Sequence, residues 1–90
     1  MGQKAGVILV VDDERDHADG IVESLEKQCD KAIAVYSGKD ALEILRSRQI
    51  DVVVTDLRLG GDTSGLSVLT EAKKYDAGTE VILITAHASI

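Results

Sequence analysis

Ninety residues with sixteen acidic and ten basic side chains, and no proline, tryptophan or phenylalanine, describe one small acidic domain. A net charge of −6 with scattered cations disfavours nucleic acid and anionic membrane as direct partners, since phosphate binding needs clustered Lys and Arg. The 44 % apolar content argues against disorder, and no apolar run approaches the roughly 20 residues of a membrane span. No secretory pattern opens the chain, and a lone cysteine, Cys29, fits the reducing cytoplasm.

Val7 to Val11 is a β-branched and leucine run that stops at Asp12-Asp13, as expected of a strand covered on both faces. From Glu14 to Cys29 the spacing changes to helical: Ala18, Ile21, Val22, Leu25 and Cys29 form one apolar stripe. Ala32 to Tyr36 is a second short strand. Ser37 to Asp40 then carries a capping-box pattern opening a second helix, with Ala41, Leu42 and Leu45 on its apolar side. Ile50 to Thr55 predicts a third buried strand, ending at Asp56. A glycine-rich loop from Leu59 to Gly65 leads into a third helix carrying Leu66, Leu69 and Ala72. Val81 to Thr85 predicts a fourth strand, and Ala86 to Ile90 the opening of another helix. Alternation of this kind implies an α/β fold: a doubly wound parallel sheet with right-handed crossovers and helices on both faces.

Ligands of open parallel sheets bind beyond the carboxyl ends of the strands. Asp12 and Asp13 follow the first strand and Asp56 follows the third, so adjacent first and third strands would bring three carboxylates together. Converging like charges repel unless a cation joins them, and hard oxygen ligands favour Mg²⁺ over zinc. Each aspartate also has a purely structural explanation. Asp12 or Asp13 would serve as an N-cap, and Asp56 would start an Asx-turn. Three such residues at strand ends, with Thr85 at a fourth, make a shared site the stronger explanation.

Four separated segments, Ile8–Glu14, Ser37–Leu42, Asp51–Arg58 and Val81–His87, resemble the receiver (response-regulator) domain of bacterial two-component signalling. The resemblance runs from about Val7 to Ile90, and the Ile84–Ile90 ending is most similar to receivers that precede an AAA+ ATPase and a helix-turn-helix (the NtrC type). It implies a flavodoxin-like sheet of strand order 2-1-3-4, with the family's fifth strand and last helix lying past Ile90. It also implies that Asp56 accepts a phosphoryl group from a sensor histidine kinase. Asp13 and Asp56 would ligate Mg²⁺, Asp12 would act largely through water, the Arg58 backbone carbonyl would complete the set, and Thr85 would offer its hydroxyl to the phosphoryl group. Such a domain switches an output domain, which this chain does not contain, and is a signalling part in place of a turnover enzyme.

Two departures from the family pattern stand out. Leu59-Gly60-Gly61 replaces the usual proline of the loop after the acceptor and predicts an unusual start for the third helix. The family's lysine, carried on the fifth strand, has no counterpart among these residues, so the chain is expected to be an incomplete receiver over 1–90. An incomplete sheet would leave Val81–Thr85 as an open edge, so the chain is expected either to associate with a second copy or to belong to a longer protein that covers this edge.

Among the remaining residues, Cys29 fits a buried small hydrophobe, His17 a solvated position off the helical stripe, and His87 a loop or helix-start residue. An ATPase is disfavoured because no phosphate-loop motif precedes Val52–Asp56, and an FMN site because Asp12-Asp13 would repel its phosphate. The remaining alternative is a degenerate receiver, a protein-interaction or dimerisation module that is never phosphorylated.

Overall fold

A computed structural model describes residues 5–61 and 63–84. Four parallel strands form one sheet in the order β2-β1-β3-β4, with β1 at Ala5–Val11, β2 at Cys29–Val35, β3 at Val52–Asp56 and β4 at Glu80–Ile84. Helices α1 (Arg15–Leu25), α2 (Gly38–Ser47) and α3 (Gly65–Tyr75) are the crossovers, and a 3₁₀ turn at Glu26–Gln28 joins α1 to β2. The strand order is the one the resemblance implies. Thr85, His87 and the expected helix over 86–90 lie outside the described residues.

Each central strand is sandwiched, which explains its unbroken apolar run. Alternate residues of a strand point to opposite faces. Leu9, Val11 and Val53 pack with Val35, Ala41, Leu45, Val68 and Ala72 beneath α2 and α3. Ile8, Val10 and Val54 pack with Ala18 and Cys29 beneath α1, where Ile21, Val22 and Leu25 complete the layer. Two thin cores therefore lie back to back. The register Leu9↔Val53 and Val11↔Thr55 aligns the ends of β1 and β3, so that Asp12 and Asp56 emerge on one rim.

Four expectations need adjustment. The α1 stripe ends at Leu25, and Cys29 is the first residue of β2; it is buried as expected, but from a strand, with its thiol donating to the Leu25 carbonyl at 3.3 Å. On α3 the buried residues are Gly65, Val68 and Ala72, while Leu66 is 55 % exposed and Leu69 only partly covered. Ala72 is buried as expected, but Gly65 and Val68 take the inward positions expected of Leu66 and Leu69. Despite the glycines before it, α3 begins in an ordinary way: the Ser64 hydroxyl accepts from the Ser67 N–H at 3.2 Å. Half of the expected capping box on α2 is present, with Ser37 Oγ accepting from the Asp40 N–H at 3.1 Å.

Candidate metal and phospho-acceptor site

Asp12, Asp13 and Asp56 each bring a carboxylate oxygen to within 4.8 Å of the others. Asp13 and Asp56 line a cleft of about 510 Å³ together with Glu14, His17, Arg58, Leu59 and Gly60, and Asp12 lies buried behind them. Asp12 is buried, Asp56 partly buried and Asp13 exposed, so the acidity grades from sheet to solvent.

The backbone sets each side chain. The Asp12 N–H continues the sheet by donating to the Val35 carbonyl at 3.2 Å, which holds this residue at the end of β1. Its Oδ1 then accepts from the Glu14 N–H at 2.9 Å, turning the chain into α1. Neither Asp12 nor Asp13 is the N-cap; that position is Glu14, whose side chain makes no capping bond. Asp56 makes the same two-residue turn, its Oδ1 accepting from the Arg58 N–H at 3.1 Å. A carboxylate has two oxygens and such a turn engages one of them, so the structural role expected for Asp56 leaves its second oxygen available. Asp13 leans across the cleft, Oδ2 accepting from the Gly60 N–H at 3.3 Å.

His17 is exposed and off the apolar stripe, as expected, but it has a partner that the sequence did not reveal: its Nδ1 donates to Asp12 Oδ2, so the third residue of α1 grips the first acid of the cluster. The link spans five positions, from a strand end to a helix start, and a search for helical stripes does not look there.

Close packing around α3 fixes the turn that follows Asp56. A β-carbon on Gly65 would sit 2.3 Å from the Asp56 carbonyl oxygen, and one on Gly38 would sit 2.5 Å from Thr63 Cγ2. Only hydrogen allows these approaches. The Gly65 N–H donates to the Leu57 carbonyl at 3.1 Å, and the Leu57 N–H to the Ile84 carbonyl at 2.9 Å, linking the turn after Asp56 to both α3 and β4.

Chemically, this is an anionic hole of hard oxygens. Among the described residues no Lys or Arg makes an ion pair with any of the three carboxylates. Uncompensated carboxylates with solvent access suit a hard divalent ion that keeps several waters, which is how Mg²⁺ is usually held. The donor set therefore fits Mg²⁺ and is poor for zinc, which prefers nitrogen and sulfur ligands.

A model of the response regulator receiver domain matches residues 8–90. The transcriptional regulatory protein GlrR of Escherichia coli (strain K12) is 30 % identical over 90 residues, which are 100 % of this chain and 20 % of GlrR. Among solved structures, a response regulator receiver protein from Sinorhizobium medicae WSM419 superposes with a TM-score of 0.86 at 34 % identity, covering 94 % of this chain and 69 % of that one. The response regulator protein TrrA of Thermotoga maritima, crystallised in complex with Mg²⁺-BeF, gives a TM-score of 0.81 at 33 % identity over 96 % of this chain and 72 % of its own. The chain spans between about a fifth and a third of the first curated relatives it matches.

Proposed function

This chain belongs to the response regulator receiver domain family, and on that premise we propose that Asp56 is its phospho-acceptor, loaded by a sensor histidine kinase. The observation that carries the reading is the convergence of the Asp12, Asp13 and Asp56 oxygens within 4.8 Å at the ends of two adjacent strands. In this reading Asp13 and Asp56 hold Mg²⁺ directly, Asp12 acts through water, the Arg58 carbonyl adds a ligand, and Thr85 offers its hydroxyl to the incoming group. Mg²⁺, when bound, neutralises phosphoryl oxygens so that a carboxylate can approach an anionic donor.

The residues divide the work by position. Asp56 Oδ1 is held by the Arg58 N–H, which leaves the other oxygen as the nucleophile in this reading. That oxygen forms the new O–P bond as the P–N bond of the phosphohistidine breaks, with the electron pair returning to the imidazole. Charge on the product, about −2, then reorganises the loops around Leu57–Gly60 and biases a two-state surface. An output domain elsewhere in the full protein reads that change; resemblance to transcriptional regulators makes transcription the output we favour. The proposed setting is the cytoplasm, and no helix among the described residues is long and apolar enough to cross a membrane. The degenerate alternative has no specific observation in its favour, since the acidic set is intact.

Incubation with acetyl phosphate and Mg²⁺, followed by intact-mass measurement, tests the proposal. Wild-type chain should gain one phosphoryl mass and Asp56→Asn none. Absence of the added mass in wild type would favour an interaction module.

A further inference from the structure

Asp12 is buried, with 3 % of its surface exposed, and a buried carboxylate must have its oxygens satisfied. One oxygen is served by the Glu14 N–H, a backbone donor available whatever side chain stands at position 14. The other is served by the side chain of His17, which is 44 % exposed and lines the same cleft as Asp13 and Asp56. Burial does not force a histidine into that position, and a helix start needs none there. Both donors together fix the plane of the Asp12 carboxylate relative to its two acidic neighbours. From these contacts we propose that His17 is a positioning residue for the cation site, holding Asp12 Oδ2 through Nδ1 so that the cluster is set before the metal arrives.

This inference rests on the Mg²⁺ reading of the site and adds a residue to it. A carboxylate free to rotate must be ordered on binding, and an outer donor removes that cost; losing such a partner typically weakens metal affinity about 10- to 100-fold. The role does not depend on charge, because Nδ1 carries its hydrogen toward the carboxylate in the neutral tautomer required here and in the imidazolium alike. What matters is where the N–H stands.

Two near-isosteric substitutions separate position from bulk. The amide nitrogen of Asn falls where Nδ1 is, whereas that of Gln reaches outward toward the Nε2 position. Mg²⁺ affinity of the chain is measured by isothermal titration calorimetry for wild type, His17→Asn and His17→Gln, with folding checked by circular dichroism. His17→Asn should stay within roughly threefold of wild type, and His17→Gln should bind roughly 10-fold more weakly. In an Asp12→Asn background the Asn and Gln variants should become indistinguishable, because the effect travels through Asp12. Equal affinity of the two single variants, or a difference that survives in the Asp12→Asn background, overturns the proposal. Wild type that binds no Mg²⁺ at all overturns instead the metal reading on which it rests.

Discussion

Gly65, the first residue of α3, lies so close to Asp56 that a β-carbon would meet its carbonyl oxygen at 2.3 Å and the Leu57 Cα at 2.9 Å. Backbone cannot yield as a flexible side chain does. Gly65→Ala is therefore expected to destabilise the chain by about 1–3 kcal/mol, the usual cost of forcing volume into a packed contact, despite alanine's better helix propensity. Urea denaturation measures this, and an unchanged midpoint would contradict the contact.

The phase of α3 makes a second prediction. Val68 is fully buried beneath the sheet, while Leu66 is 55 % exposed. Truncating Val68 to Ala should cost roughly 2 kcal/mol, whereas Leu66→Ala should change stability by less than about 0.5 kcal/mol. Were the helix rotated to the phase that its leucines suggest, the order of the two effects would reverse.

Repulsion within the acidic cluster predicts opposite effects of one substitution with and without metal. Asp13→Asn removes one of three like charges and should raise the thermal midpoint in EDTA, by a free energy on the order of 1 kcal/mol. Wild type should gain about 2.7 kcal/mol from Mg²⁺ at 100 times its dissociation constant, and Asp13→Asn should gain much less at the same concentration. Differential scanning fluorimetry with a Mg²⁺ series reads both.

Alkaline behaviour is set by a smaller cluster on the α1 side. The Tyr36 hydroxyl donates to Asp19 Oδ1 at 2.7 Å, and the Arg15 guanidinium lies 4.1 Å from the ring centre. Tyr36 has its pKa raised above 10.0, chiefly because the hydrogen bond to Asp19 needs the phenol's proton; desolvation and the Asp19 charge add to this, and Arg15 opposes it. With the folded pKa above the unfolded one, the native state holds the proton longer. The contribution to stability is complete below about 10 and is lost as pH rises through the folded value. In a Tyr75→Phe background, phenolate absorbance should report an upward-shifted Tyr36 that returns toward the ordinary value in Asp19→Ala.

The sheet was legible because its central strands β1 and β3 carry unbroken apolar runs, as expected of strands covered on both faces; β4 carries a similar run although its Ile82 is 52 % exposed. Three carboxylates at strand ends followed from the same reading, since a strand that stops at an acid places that acid on the rim. Helix phase was harder: Leu66 and Leu69 outweigh Gly65 and Val68 in hydropathy, yet the tight approach to Asp56 dictates which side turns inward. Cys29 fits the helical stripe by spacing, but the 3₁₀ turn at Glu26–Gln28 resets the chain before it. His17 was illegible as a partner because its contact joins two elements that no periodic pattern connects. Thr85 lies outside the described residues, so its expected place at the site is a proposal.

Placement of the acidic rim on β1 and β3 has a dynamic consequence. These two strands are the inner pair, with β2 and β4 outside them, and opening of a sheet begins at its margins. Amide protons of Leu9, Val10, Val53 and Val54 should accordingly be among the last to exchange with deuterated solvent. An outer strand can come loose while the anchoring points of Asp12 and Asp56 keep their spacing, so the proposed receptor for a cation would outlast the surfaces proposed to relay its message.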